Sequence, residues 1–495
     1  MLIKTSPDEI QNFIVDASNT KGYCDAVYFP ENKKEIIEIL KKANTEKTSV
    51  TVSGNHTGLT GAGVPRGGIV ISTEKLNKIL EINTAEKFAL LQPGVILADF
   101  LVKIKNQNLL YPPDPTEDNC FIGGTVATNA SGAKTFKYGP TRNYIDELEI
   151  VLADGEVLVL KRGQKIANNY NLKLKTESGK EILLDLPDFE MPDTKNASGY
   201  FCKKNMDAID LFIGSEGTLG IISKIKVRLL PAPEKLLSCV VFFDSENDAL
   251  GFLKKARELS FKSRDIHQNK IIDALALEFF DEGALKFLSK DFPQVPIDSK
   301  AALWFEQEID KENEDPVFEK WMELISEFSG NEESTWFALS ENDKVNIKEF
   351  RHAVSWKINE YMAGKGFRKL GTDVAVPSTK FEELYFYAKK EVAAAGLNFV
   401  NYGHFGDAHM HLNMLPESEE QFELGKKLYG IICKKAIELG GTVSAEHGIG
   451  KNKTGYLLDM YGEVHIKKMA KIKKILDTNL ILGIGNIFGK TFYDS

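Results

Sequence analysis

Hydrophobic and polar positions in the first 230 residues alternate in short runs, which predicts a mixture of helices and strands. Residues 32–46 repeat apolar side chains at helical spacing inside a charged frame, so we predict an amphipathic helix there. Strand-like runs recur in SVTVSG (49–54), IVIST (69–73), FALLQPG (88–94) and LEIVLADGEVLVL (148–160). The last run predicts a hairpin whose turn is Asp154-Gly155.

The pattern changes after LLPAPEK (229–235), where Pro231 and Pro233 predict a domain boundary. Beyond it, strand-like runs alternate with charged helical segments: SCVVFF (238–243), ENDALGFLKKARELS (246–260), AALWFEQ (301–307) and STWFALS (334–340). Residues 464–483 predict a basic amphipathic helix. We therefore expect an α+β protein with one domain in 1–230, a second in 231–440 and a C-terminal segment in 441–495.

Composition excludes several classes of protein. With 495 residues, of which 43% are hydrophobic and 27% charged, the chain is expected to be a soluble globular protein of two or three domains. Its formal charge of −9 argues against a nucleic-acid partner, because wrapping a phosphate backbone needs a basic face.

The cysteines and the N-terminus favour a cytoplasmic location. The five cysteines are scattered and form no CxxC pair, which suits a reducing compartment and leaves no cluster-forming set. The first residues, MLIKTSPDEIQNFIVD, include acidic side chains where a signal peptide is apolar, and we find no apolar run of about 18 residues. Peripheral docking at a membrane and a homodimer stay open.

Three loops rich in small residues predict a site for one long ligand. Residues 52–68 contain six glycines but neither the lysine of a P-loop nor a GxGxxG motif. Residues 112–139 and 213–223 are similar in composition, and each loop lies next to a strand-like run. Glycine lets backbone N–H groups approach an anion closely, so a ligand lying across all three loops explains them together.

A cluster of histidines predicts a catalytic divalent metal. His404, His409 and His411 lie within eight residues, in a chain that has only eight histidines. His409 and His411 are two apart and would share one face of a strand. Glu446 and His447 follow in SAEHGIGKNK (444–453). Histidine and carboxylate ligands suit zinc, manganese or iron.

A cationic segment, residues 350–377, predicts an anchor for a small acid. It carries Arg351, His352, Lys357, Arg368 and Lys369. An arginine binds a carboxylate with two parallel hydrogen bonds, and a lysine adds a point charge. Ser355 would lie on the same helical face as Arg351. A solvated helix face explains Lys357 and Lys365.

Four motifs, in this order and spacing, resemble those of a known family: SGNHTGLTGAG (53–63), PPDPTEDNCFIGGTVATNASG (112–132), NASGYF (196–201) and GSEGTLGIISKIKVRLLP (214–231). They resemble the FAD-binding domain of the vanillyl-alcohol oxidase superfamily, and within it the branch of D-lactate, glycolate and D-2-hydroxyglutarate dehydrogenases. The resemblance runs from about residue 25 to 488. It implies a PCMH-type FAD-binding domain, an α+β cap domain with an antiparallel sheet that binds substrate, and a C-terminal helical segment returning to the FAD domain.

The resemblance also implies the residues that hold FAD. Backbone amides from the first loop would cradle the pyrophosphate: Ser53, Gly54, Asn55, His56, Thr57, Gly58, Leu59, Thr60 and Gly61. The second loop would line the pyrophosphate and isoalloxazine with Pro113, Asp114, Gly123, Gly124, Thr128, Ser131 and Gly132. Glu216, Gly217 and Ile221 would lie near the adenine half or in the loop that closes on it. His56 and Cys120 are the residue types of covalent flavin links, but this branch implies non-covalent FAD.

GHFGDAHMHLN (403–413) resembles the metal motif of the same branch. The resemblance implies His404, His411 and Glu446 as ligands of a divalent metal, with zinc expected and manganese or iron as alternatives. It implies His447 as the catalytic base, Asn413 as a substrate contact, and Arg351 and Lys369 as the carboxylate anchor; Ser355 could add a hydroxyl. The chain departs from the branch at Ala408-His409, where Gly-Asn is more common, so His409 could be a ligand, tune the site or hold the loop.

The expected reaction is oxidation of a D-2-hydroxy acid resembling D-lactate to the 2-oxo acid. The metal would activate the hydroxyl and the hydride would pass to FAD. The chain lacks a cluster of its own, so the electrons would pass to a quinone, a cytochrome, an electron-transfer flavoprotein or an iron–sulfur partner subunit. Three alternatives stay open: a metal-dependent hydrolase without flavin, an ether-lipid-type flavin transferase, and an oxidase that reduces dioxygen.

Overall fold

The computed structural model describes residues 1–266, 271–338 and 340–493. Strands in the first part of the chain are β1 (Leu2–Lys4), β2 (Ala26–Phe29), β3 (Val50–Ser53), β4 (Ile69–Ser72), β5 (Ile79–Asn83), β6 (Phe88–Leu91), β7 (Leu109–Leu110), β8 (Ile145–Val151), β9 (Val157–Lys161), β10 (Asn171–Lys175), β11 (Glu181–Asp185), β12 (Ile221–Arg228) and β13 (Leu230–Pro231). Helices there are α1 (Pro7–Ile10), α2 (Lys33–Glu46), α3 (Leu97–Lys105), α4 (Ile122–Thr128), α5 (Thr135–Tyr138) and α6 (Ile209–Phe212).

The second part of the chain contains longer elements. Its strands are β14 (Lys235–Phe243), β15 (Ala274–Asp281), β16 (Ala301–Ile309), β17 (Trp336–Phe337), β18 (Leu370–Gly371), β19 (Val374–Ala375), β20 (Phe399–Gly403) and β21 (His409–Met414). Its helices are α7 (Glu246–Ile266), α8 (Glu282–Leu288), α9 (Glu314–Glu327), α10 (Glu341–Gly364), α11 (Phe381–Ala394), α12 (Glu419–Glu438) and α13 (Thr454–Leu476).

Two sheets in the first part of the chain carry the glycine-rich loops. One has the strand order β1-β2-β4-β3, with β2, β4 and β3 parallel, and the other has the antiparallel order β5-β6-β12-β8-β9. The first loop leaves the end of β3, and the third loop leads into β12. Both loops are therefore fixed at one end by a buried strand.

Local sequence signals explain two of these elements. Helix α2 begins after Asn32, whose side chain accepts a hydrogen bond from the backbone N–H of Glu35, and it ends at Lys47 in a left-handed conformation. Its buried face holds four apolar residues: Ile36, Ile39, Leu40 and Ala43. The predicted hairpin is also present, because β8 pairs antiparallel with β9 through Val151 and Val157.

A large antiparallel sheet dominates the second part. Among the described residues it has the order β17-β14-β16-β15-β20-β21-β18, and β19 also pairs with β21. Helices α7 and α9 pack on one another and on this sheet, with Phe252 and Trp321 buried between them. The predicted run STWFALS is shorter in the structure, where only Trp336 and Phe337 are in a strand; its Leu339 lies outside the described residues.

The C-terminal segment contacts the first sheet. The N–H of Val50, in β3, donates to the carbonyl of Ile481 at 2.7 Å, and the N–H of Gly483 donates back to Val50 at 2.9 Å. The predicted helix at 464–483 forms the end of α13 and stops at Leu476. The division into 1–230, 231–440 and 441–495 stays a prediction, although β13 does contain Pro231. No described helix is long and apolar enough to cross a bilayer.

Candidate active site

The histidine cluster is formed by a turn between β20 and β21. Phe405–Asp407 form a single 3-10 turn, and Ala408 then takes a left-handed conformation with φ 53°. This turn brings His404 back beside the strand that carries His411, so that their ring centroids lie 5.5 Å apart. Buried Arg257 holds the turn from α7: its guanidinium donates to the carbonyl of Gly406 at 3.0 Å and also to that of Phe405.

Glu446 meets both predicted histidine ligands. Its Oε1 lies 3.2 Å from Nε2 of His404, and its Oε2 lies 3.7 Å from Nε2 of His411. The other ring nitrogen of each histidine is fixed by an oxygen. Nδ1 of His404 donates to Glu278 at 2.6 Å, and Nδ1 of His411 donates to the carbonyl of Thr372 at 3.0 Å. Such partners orient imidazoles for metal binding.

Charges at this cluster are strongly coupled. Burial alone would lower the pKa of His404, but Glu278 and Glu446 outweigh it and raise that pKa to about 9. Burial would raise the pKa of Glu278, but His404 and Arg351 lower it to about 2. The ammonium of Lys195 is 2.5 Å from Oε1 of Glu446, and together with His404 it keeps the pKa of Glu446 well below its usual value despite burial. The centre therefore combines cations and carboxylates away from bulk water.

Asp373 organises the adjoining residues from a fully buried position. Its Oδ2 lies 3.2 Å from Nδ1 of His447 and 2.7 Å from the ammonium of Lys453. Its two oxygens also accept the backbone N–H groups of Glu446 and His447. Burial opposes ionisation, yet His447, Lys453 and His409 hold the pKa of Asp373 well below its usual value. The carboxylate of Asp373 thus fixes the start of the EHGIG segment, residues 446–450.

The cationic anchor lies on α10 and in the loop between α10 and β18. The ammonium of Lys369 donates to the hydroxyl of Ser355 at 3.1 Å and to that of Tyr402 at 2.8 Å. Nε of Arg351 is 3.5 Å from Oε2 of Glu278, and its guanidinium lies 5.0 Å from the Trp304 ring centroid. Asn413, by contrast, donates its amide to the carbonyl of His411 at 2.7 Å.

One cavity brings all eight predicted catalytic and metal residues together. Its walls include Arg351, Ser355, Lys369, His404, His411, Asn413, Glu446 and His447. A second cavity extends between the glycine-rich loops of the first part of the chain. The two cavities share four wall residues: Leu59, Thr116, Glu446 and His447. A ligand in the loop cavity would therefore reach the edge of the histidine cluster.

Most of the predicted cofactor residues line the loop cavity. They are Ser53, Gly54, Asn55, His56, Thr57, Gly58, Leu59, Gly123, Gly124, Thr128, Ser131, Glu216, Gly217 and Ile221. A Cβ built on Gly124 would meet no heavy atom within 4 Å, so this glycine leaves open space in the cavity wall. The carboxylate of Glu216 accepts the N–H groups of Ile449 at 2.7 Å and Gly450 at 2.6 Å, which joins the third loop to the EHGIG segment.

Five predicted cofactor residues lie outside the lining: Thr60, Gly61, Pro113, Asp114 and Gly132. The carbonyl of Thr60 accepts the N–H of Lys451 at 2.9 Å, so this hydrogen bond joins the first glycine-rich loop to Lys451. A Cβ on Gly132 would lie 2.1 Å from the carbonyl oxygen of Asp114. This close approach requires glycine, which explains the small residue by packing rather than by ligand contact.

Sequence reasoning missed several buried charges at the site: Lys195, Glu278, Asp373 and Lys453. Asp373 lies within the cationic segment 350–377, and Lys453 is the last residue of SAEHGIGKNK (444–453). Glu278 comes from β15, more than a hundred residues before His404, and its local sequence contains no motif. Lys195 directly precedes NASGYF, which was the nearest available signal.

Comparisons with known proteins identify the domains and the relatives of the chain. Residues 24–161 match the FAD binding domain, and residues 252–487 match the C-terminal domain of FAD linked oxidases. The chain is 30% identical to a D-lactate dehydrogenase of Anaerostipes hadrus, covering 92% of this chain and 87% of the relative. It is also 30% identical to the glycolate oxidase subunit GlcD of Bacillus subtilis, covering 94% and 89%. A D-2-hydroxyglutarate dehydrogenase of Stutzerimonas stutzeri is 28% identical, covering 94% and 90%.

Solved structures confirm the fold. An alkyldihydroxyacetonephosphate synthase superposes with a TM-score of 0.68 at 15% identity, covering 97% of this chain and 81% of that one. A 4-ethylphenol oxidase from Gulosibacter chungangensis superposes with a TM-score of 0.69 at 16% identity, covering 99% and 95%. The predicted PCMH-type FAD-binding fold is therefore confirmed. Together with the matched domains and relatives, it shows that this chain belongs to the family of FAD-linked D-2-hydroxyacid dehydrogenases.

Proposed function

We propose that this protein oxidises a D-2-hydroxy acid resembling D-lactate to the 2-oxo acid, using non-covalent FAD and a divalent metal. The observation that carries the proposal is the meeting of the two cavities at Glu446 and His447. At this junction a substrate held by the cationic anchor would lie against a flavin held by the glycine-rich loops. The relatives named D-lactate dehydrogenase and D-2-hydroxyglutarate dehydrogenase support the same substrate class.

The loop cavity fits FAD bound without a covalent link. Its wall offers open space at Gly124 and many backbone N–H groups, which suit a pyrophosphate. Cys120 lines the cavity, but burial raises the pKa of its thiol to about 12, so the thiolate needed for a covalent bond is scarce near neutral pH.

The donor set of His404, His411 and Glu446 fits a divalent metal such as zinc. Two imidazole nitrogens face one carboxylate, and each imidazole is oriented by an oxygen behind it. When bound there, a metal would supply positive charge that lowers the pKa of the substrate hydroxyl. The positive charge of Lys195 balances the negative charge of Glu446. The Lys195 ammonium also lies 3.4 Å from the carbonyl oxygen of Gly132, in the second glycine-rich loop.

Arg351 and Lys369 would bind the substrate carboxylate. Both line the substrate cavity, and they approach it from different elements, which fixes the direction of the acid as well as its position. Ser355 and Tyr402 hold the Lys369 ammonium in place. Asn413 would position the substrate from β21, on the same strand as His411.

His447 would accept the hydroxyl proton. Burial lowers the pKa of its imidazole to about 4 despite Asp373, and Lys453 and His411 act in the same direction. The ring is therefore neutral near pH 7. Because Nδ1 faces Asp373, Nε2 is the nitrogen left to take the proton. When bound, FAD would supply the acceptor for the hydride of the Cα–H bond, and His447 would hold the O–H proton, so that the product is the 2-oxo acid.

Reduced FAD must pass its electrons to a separate acceptor. All five cysteines are free thiols, four of them buried, and they are scattered along the chain. A quinone, a cytochrome, an electron-transfer flavoprotein or an iron–sulfur subunit would serve. Free thiols also suit a reducing compartment such as the cytoplasm.

An anaerobic flavin-reduction assay tests the proposal. The purified protein is mixed with D- and L-lactate, glycolate and D-2-hydroxyglutarate, with and without a chelator, and the flavin absorbance is followed. Bleaching by a D-acid, abolished by the chelator, is expected. A colourless protein would favour the metal-dependent hydrolase, unreactive flavin with every acid would favour the transferase, and hydrogen peroxide release in air would identify an oxidase.

A further inference from the structure

His409 is a buried histidine with one unused ring nitrogen. Its side chain is fully buried, its Nε2 donates to Oδ1 of Asp373 at 3.1 Å, and its Nδ1 has no hydrogen-bond partner within the described part of the chain. Buried polar atoms in native proteins almost always have a partner. The unpaired nitrogen is therefore available to a group that the protein binds.

The unused nitrogen belongs to the same cluster as the predicted metal ligands. One ligand atom from each of His404, His409, His411 and Glu446 lies within 4.8 Å of the other three. The ring of His409 is 4.4 Å from that of His411 and 5.4 Å from that of His404, measured between centroids. This spacing is close enough for all three rings to bind one ion.

The three histidines also share one pattern of hydrogen bonding. In each ring one nitrogen faces an oxygen of Glu278, Asp373 or Thr372. The other nitrogen faces Glu446 in His404 and His411, and in His409 it has no partner among the described residues. A metal-binding histidine in proteins usually has this arrangement, in which a carboxylate or carbonyl fixes the tautomer from behind. Asp373 already has Lys453 and two backbone N–H groups as partners, so it does not depend on His409 for its charge balance.

We propose that His409 is a third imidazole ligand of the metal, so that the centre has three nitrogen donors and one carboxylate. The proposal rests on the metal site of the proposed function and adds a ligand to it. Three imidazoles favour ions such as zinc, cobalt, nickel or ferrous iron over magnesium or calcium, which prefer oxygen. They also leave fewer positions on the ion for substrate.

X-ray absorption at the zinc K-edge counts imidazoles directly and needs no turnover. The FAD-loaded protein is given one equivalent of zinc, and the expected count in the wild type is three imidazoles. In His409→Asn, the amide can still hydrogen-bond to Asp373, and the expected count is two. His352→Asn is the matched control, because His352 lines the substrate cavity but lies outside the cluster; its count is expected to stay at three.

Zinc affinity gives a second readout. Competition with a chromophoric chelator should show a loss of at least about 100-fold in His409→Asn, since even an outer-shell partner contributes about 10–100-fold. Two imidazoles in the wild type would overturn the role of His409 while leaving the metal site of the proposed function intact. Failure of zinc to bind the wild type would overturn both. The wild-type count is decisive even if His409→Asn does not fold.

Discussion

The imidazole of His447 is held by Asp373, whose Oδ2 lies 3.2 Å from Nδ1 of the ring. The same carboxylate oxygen accepts the backbone N–H of His447 at 3.1 Å. Side chain and main chain of one residue are therefore fixed by one buried oxygen, which leaves the ring little freedom. The ring also lies nearly parallel to that of His411, with centroids 5.6 Å apart, so it lies beside the histidine cluster.

Replacing the proposed base tests this arrangement. In His447→Asn we expect FAD content to be unchanged and the rate of flavin reduction to fall by about 10²–10⁴, the usual contribution of a positioned base. Stopped-flow absorbance under anaerobic conditions measures the rate. Retention of the wild-type rate would exclude His447 as the base.

Removing the cationic anchor should weaken transition-state binding. A charged hydrogen bond to the substrate carboxylate contributes about 1.5–3 kcal/mol, so Arg351→Met should lower kcat/KM by roughly 10–100-fold. Lys369→Met should have a similar effect. Lys365→Met is the control, because Lys365 is exposed and contacts Glu417 outside the cavity. If all three variants behave alike, the anchor lies elsewhere.

Asp373 should contribute strongly to stability at neutral pH. Asp373→Asn leaves Lys453 buried without its carboxylate, which costs about 3–5 kcal/mol. Because the pKa of Asp373 is lowered, its contribution is fully present above the unfolded value of about 3.9 and is lost as the pH falls below it. Urea denaturation at pH 7 and pH 3.5 should show a smaller difference between variant and wild type at the lower pH. Asp185 is exposed, so Asp185→Asn is the control and should leave the free energy of unfolding unchanged at both pH values.

Arg257 should position the turn that follows His404 without binding the metal itself. It holds the carbonyls of Phe405 and Gly406, which directly follow His404. We expect Arg257→Met to lower zinc affinity by about 10–100-fold, as is typical when the support of a ligand is lost. Lys254→Met changes an exposed cation on the same helix and should leave the affinity unchanged. Equal affinities in the two variants would show that the loop holds its shape unaided.

Two neighbouring glycines in α4 should respond differently to alanine. At Gly124 a Cβ enters open cavity space, so Gly124→Ala should weaken FAD binding while helix propensity adds up to about 1 kcal/mol to the stability of the apoprotein. At Gly123 a Cβ would lie 2.5 Å from Cβ of Pro93, so Gly123→Ala should destabilise the fold itself. FAD titration and thermal denaturation of both apoproteins separate the two effects. Unaltered FAD affinity in Gly124→Ala would place the flavin elsewhere.

How far the sequence predicts the structure depends on how local each signal is. Helix α2 and the β8–β9 hairpin were predicted because their patterns lie within about fifteen residues. The histidine cluster was predicted because three histidines occur within one turn and strand. Glu278 could not be predicted, since it reaches His404 only through the pairing of β15 with β20. The same holds for Lys195, which meets Glu446 across 251 positions.

Two of the glycine-rich loops, the first and the third, are joined to residues 449–451 by backbone hydrogen bonds. The carbonyl of Thr60 accepts the N–H of Lys451, and Glu216 accepts those of Ile449 and Gly450. A ribosome adds about 5–20 residues per second, and N-terminal domains generally fold first. Here the part of the cavity wall that residues 446–450 contribute is missing until those residues have been translated. A nascent polypeptide that stops short of them would lack this wall, so we expect flavin uptake to follow their translation.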